Sequence, residues 1–171
     1  MDQIPKFDQP PKMKLSGHDQ AVMATAQDAL ATKVYASQLK YFKDDYSHLF
    51  LKSKRKMYPI INRGTWARVQ AYRQTIVSFL TKFKDCGKPV TVLNLGAGFD
   101  TTLFWLFDCH PELTENLVWV EVDYDTVVTK KTQVVRTNES MSKHLINFKM
   151  ETDYQIESDN YKMFSHDIRN V

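Results

Sequence analysis

Two glycines follow a short apolar stretch in the segment VLNLGAGFDTT, which runs from Val92 to Thr102. Gly96 and Gly98 lack a Cβ atom, so the backbone there can pass close to a ligand and can adopt positive φ angles. In open α/β sheets, ligands bind beyond the carboxyl ends of the strands. The residue types and their order therefore predict a ligand-binding turn after residues 90–95, which we expect to form a strand.

Acidic residues end the next two predicted strands, at positions that suit a nucleoside. Asp123 follows the apolar run LVWVEV, and a carboxylate at that strand tip can accept hydrogen bonds from both ribose hydroxyls. Asp167 ends the third predicted strand, where it can accept from the adenine amine while the backbone N–H of Ile168 faces a ring nitrogen. Alternatively, Asp167 is a turn or capping residue.

The turn departs from the full dinucleotide-binding fingerprint, because Thr101 occupies the position of the third glycine. Asp100 also places a negative charge where a pyrophosphate needs the bare N–H groups of a helix start. An adenosine cofactor without phosphate avoids this repulsion, and S-adenosylmethionine has that chemistry. Asp100 can then hold the ammonium end of the cofactor, or it can cap the following helix, and the sequence leaves both roles open.

Two helices are predicted before the turn. The first begins near Asp19, which we expect to be its N-cap. The second is indicated by apolar residues that recur at steps of three and four positions. These residues are Trp66, Val69, Tyr72, Ile76, Leu80 and Phe83. Arg63, Arg68 and Arg73 are expected elsewhere on the surface of this helix or at its start.

After Pro89 the predicted order is strand, helix, strand, helix, loop and strand, with the loop at residues 137–158. Such alternation is typical of an α/β fold, a parallel sheet with helices on both faces. We therefore expect a flexible arm at 1–18, a helical region at 19–89, and the first half of a Rossmann-like core at 90–171.

Composition is that of a globular protein: 171 residues, 43% hydrophobic, 25% charged, with a net charge of +3. Cys86 and Cys109 lack metal-ligand spacing and predict reduced thiols, and neither a membrane span nor a signal peptide is recognisable. A cytoplasmic location is expected. The five histidines form no spaced pair, so neither a metal site nor a catalytic base is predicted. They are His18, His48, His110, His144 and His166.

Four segments, INRGTWARV, VLNLGAGFDTT, VEVDY and HDI, occur in the order and approximate spacing of the leucine carboxyl methyltransferase family. From about Asp28 onward the chain resembles that family, which also includes tRNA wybutosine-synthesising methyltransferases. The resemblance implies a class I, Rossmann-like methyltransferase that uses S-adenosylmethionine. It also implies methylation of the C-terminal leucine carboxylate of protein phosphatase 2A catalytic subunits, its expected partner.

Site residues follow from the same resemblance. It implies that Arg68 pairs with the cofactor carboxylate, that Lys33 also reaches the cofactor, and that Gly96 lies in the cofactor turn. Asp123 corresponds to the ribose-binding aspartate, and Asp167 with Ile168 corresponds to the adenine-side pair.

Two positions of the NRG segment bear on the substrate. Thr65 departs from the aromatic pair of the family pattern, in which Trp66 is the second member, so no substrate contact is inferred for position 65. Arg63 is either a structural partner of a helix end or a substrate anchor.

Three predicted strands are fewer than the seven of a class I methyltransferase sheet. We therefore expect an incomplete sheet that a C-terminal segment or a second chain completes. Two alternatives stay open. A tRNA carboxyl methyltransferase would use the basic run KSKRK at 52–56 on backbone phosphates, although such a run is more often a solvated loop, and nucleic acid is not the expected partner. A truncated binding module would catalyse nothing.

Overall fold

A computed structural model describes residues 16–51, 56–149 and 154–169 of the chain. Residues 1–15 of the predicted arm and residues 52–55 of the basic run lie outside the described residues. The described helices include none that is both long and apolar enough to cross a bilayer.

Helix α1, Gly17–Gln38, begins two residues before the predicted N-cap. Ser16 is the N-cap, so the prediction of Asp19 is wrong. The Asp19 carboxylate accepts from the Ser16 N–H at 2.8 Å, and the Asp19 N–H donates to Ser16 Oγ at 3.2 Å. This reciprocal capping box satisfies two backbone donors of the first turn. The hydrogen bonds from Ser16, followed by those from Arg169, lower the pKa of Asp19 to about 2.

Helix α2, Pro59–Phe83, begins at a proline because the first turn of a helix needs no N–H donor there. Its buried residues are Asn62, Thr65, Val69, Arg73 and Leu80. The predicted apolar stripe is therefore wrong in part. Trp66 is 44% exposed, and Tyr72 and Phe83 are exposed too.

Arg73, which we expected on the helix surface, is only 4% exposed. Its guanidinium lies 4.2 Å from the centre of the Trp105 ring and donates to the carbonyl of Lys43 at 2.8 Å. Cation–π attraction and a hydrogen bond offset part of the cost of burying the charge. These partners explain why the face carrying Arg73 turns inward.

Four strands form one sheet in the order β1-β2-β4-β3. They are β1 Val90–Leu95, β2 Leu117–Asp123, β3 Ile156–Glu157 and β4 Tyr161–Ser165. Strand β2 pairs in parallel with both β1 and β4, as predicted, whereas β3 pairs antiparallel with β4. The α/β class is thus confirmed, with a mixed and incomplete sheet.

Helix α3, Thr102–Cys109, connects β1 to β2, and helices α4, Asp125–Thr137, and α5, Glu139–Ser142, lie between β2 and β3. The predicted loop at 137–158 is wrong in two places, since it contains α5 and β3. With four residues in α5 and two in β3, neither element is long enough to repeat a helical or strand pattern along the sequence.

The two faces of the sheet differ in burial. Val92 and its partner Trp119 face the core, and Trp119 is fully buried. Leu93 and Leu95, on the opposite face of β1, are 57% and 53% exposed. The core therefore lies on one side of the sheet, and the ligand turn lies at the ends of β1 and β2.

Candidate functional site

A cavity of about 510 Å³ lies at the carboxyl ends of β1 and β2, between those strand tips and helices α1 and α2. Its position agrees with the general location of ligands in open α/β sheets. The lining residues are Val22, Met23, Thr25, Ala26, Ala29, Leu30, Lys33, Arg68, Val69, Tyr72, Asn94, Gly96, Ala97, Gly98, Phe99, Asp100, Thr102, Asp123, Tyr124 and Val127. Six of the predicted cofactor residues are among them.

The glycine turn has the backbone conformation expected from the sequence. Gly96 has φ 67° and Gly98 has φ 54°, the left-handed region that other residues rarely adopt. A Cβ at Gly96 would meet nothing within 4 Å, and one at Gly98 would lie 3.7 Å from the Cβ of Ala26. Conformation, and not lack of space, is therefore the reason for glycine at both positions.

Asp123 connects the turn to the start of α4. One carboxylate oxygen accepts from the Gly98 N–H at 2.6 Å, and the other accepts from the Tyr124 N–H at 2.7 Å. Each carboxylate oxygen can accept a second hydrogen bond. Asp123 can therefore hold the turn in place and still accept from hydroxyl groups in the cavity.

Lys33 reaches the cavity from α1 and is largely buried. Its Nζ donates to Thr101 Oγ1 at 2.7 Å and lies 3.4 Å from Asp100 Oδ1. The same Nζ lies 3.3 Å from Asp44 Oδ2. Burial by itself would raise the pKa of Asp44, but Lys33 and two backbone N–H groups outweigh it and hold that pKa below its ordinary value.

Asp100 has one engaged oxygen and one buried oxygen without a partner. Oδ1 accepts from Thr102 Oγ1 at 2.9 Å, whereas Oδ2 has no hydrogen-bond partner among the described residues. Thr101 occupies the N-cap position of α3, so the alternative in which Asp100 caps that helix is wrong. A buried carboxylate oxygen without a donor favours a hydrogen-bond donor or a positive charge beside it.

A buried ion pair supports the turn from beneath, and sequence reasoning missed it. Lys131 Nζ donates to Glu121 Oε2 and to the carbonyl of Asp100, both at 2.6 Å. Tyr161 and Trp119 also donate to Glu121. Glu121 faces inward on a buried strand, and that signal could have predicted a cation on the neighbouring helix.

Other predicted site residues lie at different distances from the cavity. Arg68 is exposed on α2 and lines the cavity wall. Arg63 is exposed and is not a lining residue. Asp167 and Ile168 also lie outside the lining, and the Asp167 carboxylate accepts from Arg169 at 2.7 and 2.8 Å. Their assigned roles stay predictions.

Two tyrosines of the lining were not predicted. Tyr72 lies on the wall formed by α2, and burial, with Asp100 and Glu121 adding to it, raises the pKa of its hydroxyl. Tyr124 follows Asp123, and its hydroxyl lies 3.5 Å from Asp19 Oδ1. Both rings add apolar surface beside the charged side chains of the site.

The described residues contain no group of three or more His, Cys, Asp or Glu side chains that could hold a metal ion. The cavity brings together two basic side chains, two carboxylates and a close backbone turn.

Comparison with known proteins places these features in a family. A family model described as Leucine carboxyl methyltransferase matches residues 21–163. The Leucine carboxyl methyltransferase 1 homolog of Arabidopsis thaliana is 39% identical over 88% of this chain and 45% of its own length. Leucine carboxyl methyltransferase 1 of Bos taurus is 33% identical over 90% of this chain and 46% of its own length.

A second kind of relative matches the same region. The tRNA wybutosine-synthesizing protein 4 of Aspergillus oryzae is 29% identical over 88% of this chain and 15% of its own length. The chain thus spans less than half the length of each of these relatives. Because the family model covers most of the chain, the resemblance seen in its motifs is confirmed, and the chain belongs to the leucine carboxyl methyltransferase family.

Proposed function

We propose that the protein containing this chain transfers a methyl group from S-adenosylmethionine to the C-terminal leucine carboxylate of protein phosphatase 2A catalytic subunits. The observation that carries the proposal is the cavity at the β1 and β2 tips, which gathers Lys33, Arg68, the glycine turn and Asp123. Family membership supports methyl transfer, and the motif resemblance supports the substrate.

The residues of the cavity fit the cofactor. The Asp100 carboxylate lines the cavity and would pair with the cofactor ammonium. Lys33 and Arg68 are the cations that would hold its carboxylate, and Asp123 would accept from the ribose hydroxyls. When bound, S-adenosylmethionine supplies an electrophilic methyl group on a sulfonium.

The substrate needs no general base, which agrees with a site built from binding groups. An α-carboxyl group has a pKa of about 3.5 and is already ionised at neutral pH. The residues of this chain then have two tasks, to orient the cofactor and to exclude water from the cavity. Apolar side chains such as Val22, Leu30 and Phe99 line the cavity beside its charged groups and serve the second task.

Transfer of a radiolabelled methyl group by the full-length protein to a phosphatase 2A catalytic subunit tests the proposal. We expect incorporation that is lost when the terminal leucine of the subunit is deleted. Equal labelling of the subunit without that leucine would exclude the proposed substrate, and absence of any cofactor binding would exclude the proposed chemistry.

Cofactor binding also has a residue-specific test. Arg68→Lys keeps the charge but loses bidentate hydrogen bonding to a carboxylate, so we expect about tenfold weaker binding of S-adenosylhomocysteine. Arg63→Lys is the matched control, because Arg63 lies on the same helix outside the cavity lining. Isothermal titration calorimetry measures the affinity of each variant for S-adenosylhomocysteine. Equal affinities of the Arg68 and Arg63 variants would contradict the role of Arg68.

A tRNA carboxyl methyltransferase is the second candidate, because relatives named tRNA wybutosine-synthesizing protein 4 match the same region. Its lysines and arginines would neutralise backbone phosphates, so binding of tRNA would weaken steeply with salt. Salt-sensitive tRNA binding together with methyl transfer to tRNA, and none to the phosphatase, would favour this candidate.

Partners and location are proposed on separate grounds. The position of β1 at an edge of the described sheet supports a further segment, or a second chain, that completes the sheet. Exposed Leu93 and Leu95 support packing of that segment or chain over the open face of β1. Without it, the chain would be a non-catalytic binding module.

Free Cys86 and Cys109 support a reducing compartment such as the cytoplasm. Imaging of a tagged full-length protein tests that location.

A further inference from the structure

Asp44 is a fully buried carboxylate beneath the cavity, on the segment that follows α1. Its Oδ1 accepts from the backbone N–H of Tyr46 at 3.1 Å and of Ser47 at 2.9 Å. Its Oδ2 accepts from Thr101 Oγ1 at 2.8 Å and lies 3.3 Å from Lys33 Nζ. One oxygen thus fixes the carboxylate to its own backbone turn, and the other faces the cavity residues.

Two buried cations face this carboxylate from different helices. Lys33 extends from α1, and Arg73 extends from α2 with Nη2 3.9 Å from Asp44 Oδ2. Buried charges need opposite charge and hydrogen bonds to be tolerated. Because Asp44 is anchored by two backbone N–H groups, it can hold Lys33 in place whatever the cavity contains.

The balance of charge shows what Asp44 does for the ligand. Lys33 Nζ is shared between Asp44, Thr101 and Asp100, at 3.3, 2.7 and 3.4 Å. If Asp44 lost its charge, Asp100 would be the one carboxylate left within 4 Å of Lys33 Nζ among the residues that the structure describes. Asp100 would then be drawn away from a ligand ammonium, and Lys33 away from a ligand carboxylate.

We propose that Asp44 is a positioning residue of the cofactor site. It acts directly and through Thr101 to fix the Lys33 ammonium group, which meets the carboxylate of the cofactor. This inference rests on the proposed function. It predicts that Asp44 governs affinity for the amino acid end of the cofactor and not for its nucleoside end.

The test compares two ligands on three forms of the full-length protein by isothermal titration calorimetry. S-adenosylhomocysteine has the amino acid end, and methylthioadenosine lacks it. Asp44→Asn keeps an oxygen for the Tyr46 and Ser47 N–H groups but turns an amide toward Lys33. Asp45→Asn is the matched control, because the Asp45 side chain is 59% exposed and pairs with exposed Lys43 at 3.4 Å.

We expect Asp44→Asn to weaken S-adenosylhomocysteine about tenfold or more and to leave methylthioadenosine within about twofold of wild type. Asp45→Asn should change neither affinity. If circular dichroism shows that Asp44→Asn does not fold, Thr101→Val takes its place in the test. This substitution keeps the shape of the side chain but removes the hydroxyl between Asp44 and Lys33. It should weaken S-adenosylhomocysteine and spare methylthioadenosine in the same way.

Opposing outcomes separate this inference from the proposed function. If wild type binds S-adenosylhomocysteine and the folded variant binds it equally well, or loses both ligands equally, Asp44 has no positioning role and the proposed function stands. If wild type binds neither ligand, the proposed function fails and this inference fails with it.

Discussion

At the scale of single residues, Gly96 and Gly64 are both positions where a methyl group would meet nothing within 4 Å. They differ in backbone conformation, since Gly96 has φ 67° and Gly64 lies in the interior of α2. Gly96→Ala should destabilise the fold by about 1–2 kcal/mol through left-handed strain. Gly64→Ala should stabilise it by about 0.5–1 kcal/mol through helix propensity.

Urea unfolding of both glycine variants measures the difference. Opposite signs for the two substitutions are the expected result. A neutral Gly96→Ala variant would mean that the turn can relax to a negative φ, and its shape would then not depend on glycine.

The buried pair Lys131–Glu121 keeps two opposite charges together in the interior. Lys131→Met leaves Glu121 buried without its cation and should lower the free energy of unfolding by about 3–5 kcal/mol at neutral pH. Burial raises the pKa of Glu121, and Lys131 opposes that rise. Without the lysine the pKa of Glu121 rises further, so the cost should be smaller at pH 5 than at pH 8 because the carboxyl is then protonated.

Chemical denaturation at the two pH values tests this expectation for Lys131→Met. The double variant Lys131→Met/Glu121→Gln is the control, and it should recover part of the lost stability since no buried charge remains. A cost for Lys131→Met that does not vary with pH would contradict the explanation.

At the scale of elements, the segment after α5 is tied to α3 through His144. The His144 ring stacks on Phe107 at 4.9 Å, and its Nε2 lies 3.5 Å from Asp108 Oδ1 and 3.4 Å from the Tyr46 hydroxyl. Burial lowers the pKa of His144, Lys143 adds to that effect, and Asp108 opposes it. The folded protein therefore binds this proton less readily than the unfolded chain does.

The sign of the pH dependence follows from that direction. Stability from a neutral His144 is present above the unfolded pKa of about 6.5 and is lost as pH falls below it. Thermal unfolding between pH 5 and 7.5 should show this loss in wild type, and His144→Phe should flatten it while keeping the ring stack. His48→Phe, at an exposed histidine, should leave the profile unchanged.

The elements also show how far the sequence could predict this molecule. Strands β1, β2 and β4 and the turn at Gly96 were predictable, because short stretches rich in apolar residues, and glycine followed by acid, are local signals. The inward face of α2 was not, because Arg73 is buried by Trp105 and Lys43, which lie far away in sequence. The role proposed for Asp44 has the same origin, since its partners come from three separate elements.

At the scale of the whole molecule, strand β1 is an edge of the described sheet, and one of its faces is apolar and open. Leu93 and Leu95 are 57% and 53% exposed on that face, and β1 pairs with β2 alone among the described strands. An edge of this kind can pair with another copy of the chain. We therefore expect the 171-residue chain to self-associate at micromolar concentration.

Substitution of the two leucines by lysine should change the short chain and the full-length protein in opposite ways. In the 171-residue chain, Leu93→Lys/Leu95→Lys should abolish association in sedimentation velocity with little loss of stability, because both side chains are already exposed. In a full-length protein whose remainder covers β1, the same change buries two charges and should destabilise the fold by several kcal/mol, about 2 or more per lysine. Ile60→Lys, at an exposed position at the start of α2, is the control and should do neither. If the double variant were equally harmless in both proteins, the face of β1 that carries the two leucines would not be covered in the full-length protein.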